Sequence, residues 1–438
     1  MSGLVREMLK LEIYIKAAVP ALLFLVSCSR EHTDVFVPVP LAETAVSDTS
    51  SVWHKALSCA GKPSGEGGIA VFGGFAETAV LTERLLSADM FDNIDGKPGQ
   101  DGLADFAGET VMPVFDMVNA PYSGYFDRMN EDYIREVAVK GFLASVSDRC
   151  SSSVFDRSLS APKPSAKLVL LSSSILAGYG SRDIGYLVEV SGIGTGVLTT
   201  VHSSVSSIFS KASQSSNIGV WASQDIVSSG VYGSVFNSIR AEYADRKSPE
   251  YRDWAETSEI VCLSTEASGT PEERVRAFLG SYIDAEYDTP LSGVIADDLE
   301  LASSVDSLNA AVDSIMASGA AADLRYKAVM APGFRFVSPA ECIVADSYRW
   351  MRKNDRFTHL IAAPMVKGYM TVTSPDVQTR SLDSDGMLPD EIKYGRAQDS
   401  GIETFCFTPV GPGCLGDRAL ERLEALAPET YKGLVYVY

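Results

Sequence analysis

The chain has 438 residues, 46% of them hydrophobic, and carries 57 acidic against 37 basic side chains for a formal charge of −20. That apolar and aromatic content excludes a disordered chain, and the charge excludes nucleic acid and anionic headgroups as partners. Seven cysteines and four histidines lie scattered without C-x-x-C or H-E-x-x-H spacing, so neither a metal nor a cofactor is expected.

At the N-terminus Arg6, Lys10 and Lys16 accompany an apolar run over residues 17–26, too short to span a bilayer. The run closes in Leu25-Val26-Ser27-Cys28, which reads as a bacterial lipobox with Cys28 as the lipidated first mature residue. Residues 1–28 are then a lipoprotein signal. The mature protein belongs to the cell envelope, at the outer membrane or periplasmic face, and meets the membrane through its lipid alone. Residues 29–67, rich in Ser, Thr, Pro, Ala and Gly, read as a flexible tether.

Residues 68–72 form an apolar strand ending in Gly73-Gly74, and the spacing of Val80, Leu81 and Leu85 predicts a helix over 77–87. An acidic, Gly-rich loop over 91–107 leads to a second strand at 109–115. A helix follows at 131–146 with Ile134, Val137, Ala138 and Phe142 on one face, then a third strand at 167–171 ending in Ser172-Ser173-Ser174. Alternation of this kind implies parallel pairing with right-handed crossovers. The pattern recurs with strands at 217–222, 260–263 and 292–296 and helices at 229–243 and 271–287; the last strand ends at Asp297-Asp298. A strand and helix over 336–351 close it. The expected fold is α/β, with two pseudo-symmetric parallel-sheet lobes (68–200 and 201–355) and a ligand cleft at the strands' carboxyl ends. Residues 356–438 are expected to form a small C-terminal α+β extension, β-like at 368–373, 403–408 and 433–438 and helical at 417–426. Within it, Cys406 and Cys414 flank a Pro-Gly turn and could bridge, with buried, inert thiols as the alternative.

Several segments resemble glutamate racemase in that family's own order. Phe115-Asp116-Met117-Val118-Asn119-Ala120-Pro121-Tyr122-Ser123-Gly124 is similar to the family's Gly-Asp-Thr-x-x-x-Pro-Tyr-Gly, with one residue more before its glycine. Gly73 and Gly74 stand where the family has an Asp-Ser pair. Asn217 to Ser223, continuing through Gly230-Val231-Tyr232, resembles the strand-to-helix turn of the second lobe, and Glu266 lies near an acidic residue of the family. The segment 337–345 resembles the closing strand and helix. The resemblance runs collinearly over about 280 residues and implies the aspartate/glutamate racemase fold.

The same resemblance aligns the two catalytic cysteines of the family with Ser172 and Asp297. Cofactor-independent racemisation needs two opposed groups of tuned pKa, one removing the α-proton and one returning it. Thiols can meet that need. A serine hydroxyl without an adjacent base cannot, and an unperturbed aspartate is a poor base. Thiol racemisation is therefore not expected. Gly73, Gly74, Ser173, Ser174 and Ser223, at strand-to-helix turns, are candidates to hold a small carboxylate, with helix capping as their structural alternative. By the resemblance Asp116, Pro121 and Tyr122 border the ligand, Asp116 facing an ammonium or capping a surface helix. Asp298 joins Asp297 as a cation or amine contact, or caps the next helix. The leading expectation is a binder of a small polar ligand, an amino acid or a peptidoglycan fragment. The alternatives are an enzyme using Asp116, Ser172 and Asp297, and a structural surface lipoprotein. Asp92, Asp95, Asp101 and Asp105 do not fit a calcium-loop register, and His202-Ser203-Ser204 lacks a nucleophile elbow.

Overall fold

Two parallel sheets, each with its first strand in the middle, organise the chain. In the first sheet Gly68–Gly73 lies between Thr110–Phe115 and Ala166–Leu171, and Gly196–Thr199 continues beyond the latter. In the second, Asn217–Ala222 lies between Ile260–Leu263 and Leu291–Asp297, and the short Phe336–Val337 continues beyond that strand. Both lobes thus share the strand order 2-1-3-4, and this repeat is the pseudo-symmetry expected from the sequence. The computed structural model describes residues 36–435 apart from 61–64, 157, 212–214, 245–256, 267, 361, 378–380, 384–386, 399–404 and 412, together with the side chains of 242–244, 405 and 406. The signal segment with Cys28 lies outside the described residues. Val39–Tyr438 forms one compact unit. No helix among the described residues is long and apolar enough to cross a membrane.

The central strands are buried along their whole length, as continuous apolar runs in parallel sheets should be. Alternate residues serve opposite faces. Ala70, Phe72, Val169 and Leu171 pack with Ile134, Ala138 and Ile184, whereas Ile69, Val71, Leu168 and Leu170 meet Leu81, Leu85, Ile343 and Tyr348. The closing helix Pro339–Lys353 therefore serves the first lobe's core, although the chain places it after the second lobe. In the second lobe Trp221, Val294 and Ala296 pack with Phe278, Leu279, Leu308 and Val312.

Two segments depart from expectation. The presumed tether is not one over its second half: Pro40–Ser47 and Val52–Ser58 are helices that bury Ala42, Ala45 and Leu57. The Val39 amide donates to Asp183 (2.9 Å), whose carboxylate also receives Arg135 (2.8 Å). These helices cover the outer face of Glu131–Val146, which explains why twelve of its residues are buried rather than one stripe. It also explains the buried Glu136–Lys140 ion pair at 2.9 Å.

The C-terminal extension, in turn, does not stand apart. Met365–Val366 and Tyr369–Thr373 add parallel to Thr110–Phe115, and Phe405–Pro409 closes the edge antiparallel. Of the strand expected at 433–438, residues 433–435 instead end the helix Pro428–Val435, and the rest lies outside the described residues. Buried Thr430 and Leu434 hold that helix down, and Leu434 packs with Val366 and Val410. Cys414 carries a free thiol, while the Cys406 side chain lies outside the described residues.

Candidate functional site

The strand ends of both sheets open into one cleft of about 580 Å³. From the first lobe it is bordered by Gly74, Asp116, Pro121, Tyr122, Ser172, Ser173 and Thr200; from the second, by Ser223, Asp225, Asp297 and Asp298. Phe75, Leu81, Met117, Ile175 and Pro339 give it apolar walls. Among the described residues that line it there is neither a cysteine nor a histidine.

Ser172 follows Ala166–Leu171 directly, but its hydroxyl turns away from chemistry. The Oγ donates to the Phe72 carbonyl (3.1 Å) and shares a hydrogen bond with Thr78 Oγ1 (3.0 Å). Among the described residues no base bonds to it, and without one a serine hydroxyl is not activated. The two glycines before it make room rather than cradle an anion. A Cβ on Gly73 would lie 2.2 Å from Ser172 Oγ, and one on Gly74 would lie 2.3 Å from Glu77 Oε2. The Gly74 amide is bonded to the Glu77 carboxylate.

Asp116 is fully buried, which corrects the expectation of a surface cap. Oδ1 accepts from the Asn119 amide (3.1 Å), Asn119 Nδ2 (2.8 Å) and Thr371 Oγ1 (3.0 Å), and Oδ2 accepts from Tyr122 OH (3.0 Å). The carboxylate is thus committed to holding the loop that leads to the cis Ala120–Pro121 bond. The loop is clamped from the C-terminal extension as well. Arg396 donates to Asn119 Oδ1 and Tyr125 OH, and Tyr394 OH donates to the Pro121 carbonyl.

Asp297 closes the strand Leu291–Asp297 and stays half-buried at the cleft. Its Oδ2 accepts from Ser174 Oγ (2.6 Å) and Tyr232 OH (2.8 Å). Ser174 therefore acts through Asp297 and does not itself line the cleft. Burial pushes Asp297 up, against the pull of those two hydroxyls. Burial and the Asp297 charge raise Tyr232 well above its usual range, so the phenol stays a donor. The same two causes push the nearby Cys262 up to about 11. Asp298 is exposed and caps Leu299–Ser303, accepting from the Glu300 and Leu301 amides at 2.9 and 3.3 Å. Ser173 is buried, Ser223 exposed, and neither side chain caps the helix it precedes. His202 is exposed while Ser203 and Ser204 are buried. In the acidic loop the carboxylates bind the loop's own amides, Asp105 those of Met90 and Phe91 and Asp101 those of Asn93 and Leu103.

Sequence reading missed Glu77 and Arg422. Glu77, in the first turn of Phe75–Ser87, looks like an ordinary helix-start acid. Burial and the charge of Asp297 push it up to about 7, against the Gly74 amide and Arg422. A carboxyl whose folded pKa exceeds its unfolded value of about 4.3 takes up a proton on folding. Its contribution to stability therefore falls as pH rises from about 4 to about 7 and is constant above. Glu77→Gln is expected to flatten that slope. Urea midpoints at pH 5 and pH 8 check it, and an identical slope in both proteins would contradict the assignment.

No family profile matches the chain, and no curated protein sequence does. Among solved structures it is similar to a glutamate racemase from Francisella tularensis in complex with D-glutamate. That match has 13% identity, 70% of this chain and 88% of that one covered, and a TM-score of 0.39. A glutamate racemase isoform from Bacillus anthracis gives 10% identity, 69% and 88% coverage and a TM-score of 0.40. An aspartate racemase homologue from Pyrococcus horikoshii gives 9%, 65%, 99% and 0.30.

Proposed function

We propose that this chain is an exported, lipid-anchored protein of racemase-like build. In this reading its inter-lobe cleft binds a small ligand through a cationic amino group and does not racemise by a thiol route. The observation that carries it is the make-up of the cleft: no thiol or imidazole among its described lining, and two carboxylates, Glu77 and Asp297, presented from opposite lobes. Asp225 and Asp298 add negative charge at the exposed edge. A dicarboxylate would be repelled here, whereas an ammonium meets opposite charge and the apolar walls accommodate a short side chain. An amino acid or an amine-bearing fragment of the cell wall has that chemistry. The order Arg6-Lys10-Lys16, apolar run, Leu-Val-Ser-Cys28 supports the lipid anchor; fatty-acid labelling lost in Cys28→Ser would test it.

One observation favours a second reading. Glu77 and Asp297 border the cleft from opposite lobes, and a carboxyl that burial and the Asp297 charge push up to about 7 is suited to proton transfer; the pair would then act on a bound substrate. Calorimetric titration of the full chain with neutral amino acids and with glutamate and aspartate tests the leading reading. Neutral amino acids are expected to bind at least about tenfold more tightly, one charge-assisted contact's worth. Equal or tighter binding of the dicarboxylates would overturn it.

A further inference from the structure

The C-terminal extension does more than widen the first sheet: its helix Asp417–Leu426 brings Arg422 to the cleft. Arg422 is the one basic side chain among the described residues lining it. It is exposed, and it makes no hydrogen bond or ion pair with any described residue. Other guanidiniums among the described residues are engaged, as Arg135 is with Asp183 and Arg276 with Asp323.

The helix that carries Arg422 is held in place by its neighbours. Leu423 is fully buried with Ala79 and Phe115, against the helix that carries Glu77. The following helix is fastened to that same helix, where Glu83 accepts from the Glu429 amide (3.1 Å), the Thr430 amide (2.9 Å) and Thr430 Oγ1 (3.0 Å). The field of Arg422 reaches Glu77. An unpartnered guanidinium is thus set at the rim of a cleft that is otherwise acidic.

We infer that Arg422 is the specificity-determining contact for a carboxylate on the ligand, so that the cleft recognises a zwitterion, ammonium at Glu77 and Asp297 and carboxylate at Arg422. This rests on the proposed amine-binding cleft and narrows its ligand from amines at large to α-amino acids and peptides with a free carboxyl end. A guanidinium offers paired donors matched to a carboxylate, which a lysine cannot reproduce.

The test uses the full chain, with L- and D-amino acids and their matching carboxamides as probes, in wild type, Arg422→Met and Arg422→Lys. In wild type the tightest-binding free amino acid is expected to bind about tenfold more tightly than its carboxamide. Arg422→Met should collapse that ratio to about one, and Arg422→Lys should fall between; the ratio cancels any change that the lost field on Glu77 makes to both probes alike. A ratio that persists in Arg422→Met, or that is one already in wild type, overturns the role of Arg422 and leaves the amine-binding cleft standing. Binding of neither probe to wild type overturns both.

Discussion

Asp116→Ala is expected to destabilise the protein by about 2–4 kcal/mol, a loss readable as a lowered urea midpoint. The carboxylate receives four hydrogen bonds with no access to solvent. Alanine would strand the Asn119 amide, Asn119 Nδ2, Thr371 Oγ1 and Tyr122 OH, and each buried, unpaired donor costs roughly 1–3 kcal/mol before relaxation. Asp116→Asn keeps an acceptor in place and is expected to cost about half as much. The damage should spread, because Asn119 is also where Arg396 of the extension grips the loop. A loss below about 1 kcal/mol in Asp116→Ala would mean the four bonds do not form together.

The second large effect is expected on binding. Asp297→Asn should weaken an amino-acid ligand roughly ten- to hundredfold, the range of a lost charge-assisted hydrogen bond. Folding should be preserved, because the asparagine carbonyl still accepts from Ser174 and Tyr232, which hold Asp297 now. Its neighbour separates local structure from ligand contact. Asp298 is spent on the Glu300 and Leu301 amides, so Asp298→Ala should cost about 1 kcal/mol of stability as a lost N-cap with little change in affinity. Equal losses of affinity in both variants would place the ligand elsewhere in the cleft.

Much of the fold was legible because the central strands are continuous apolar runs punctuated by Gly, Ser or Asp at their carboxyl ends. Those endings alone brought Gly74, Ser172, Ser173, Ser223 and Asp297 to one cleft. The helix Ser174–Ser191 was not legible, since Gly178 and Gly180 speak against a helix in isolation. Its packing demands them: a Cβ on Gly180 would lie 2.1 Å from that of Ala138, and one on Gly178 would lie 2.2 Å from Val231 Cγ1. The helices over 40–58 were hidden by their Ser- and Ala-rich composition, because their burial depends on a neighbour, Glu131–Val146, far along the chain. The individual roles in the cleft depend on tertiary contacts for the same reason. Asp116 turned inward because Thr371 arrives from the C-terminal extension, and Glu77 became a cleft residue only because Gly74 has no side chain. Arg422 belongs to a segment in which no motif pointed to a site.

The central claim is that the cleft keeps ligand binding without thiol acid/base chemistry, and one nuclear magnetic resonance experiment in heavy water addresses both halves. The full chain is incubated with the tightest-binding amino acid; saturation transfer to the ligand reports binding, and loss of its α-proton signal reports turnover. The account predicts saturation transfer in wild type, its loss in Asp297→Asn, and an α-proton that persists throughout. No saturation transfer in wild type, or washout of the α-proton that Glu77→Gln and Asp297→Asn each abolish, would contradict it, the latter in favour of a carboxylate-based enzyme.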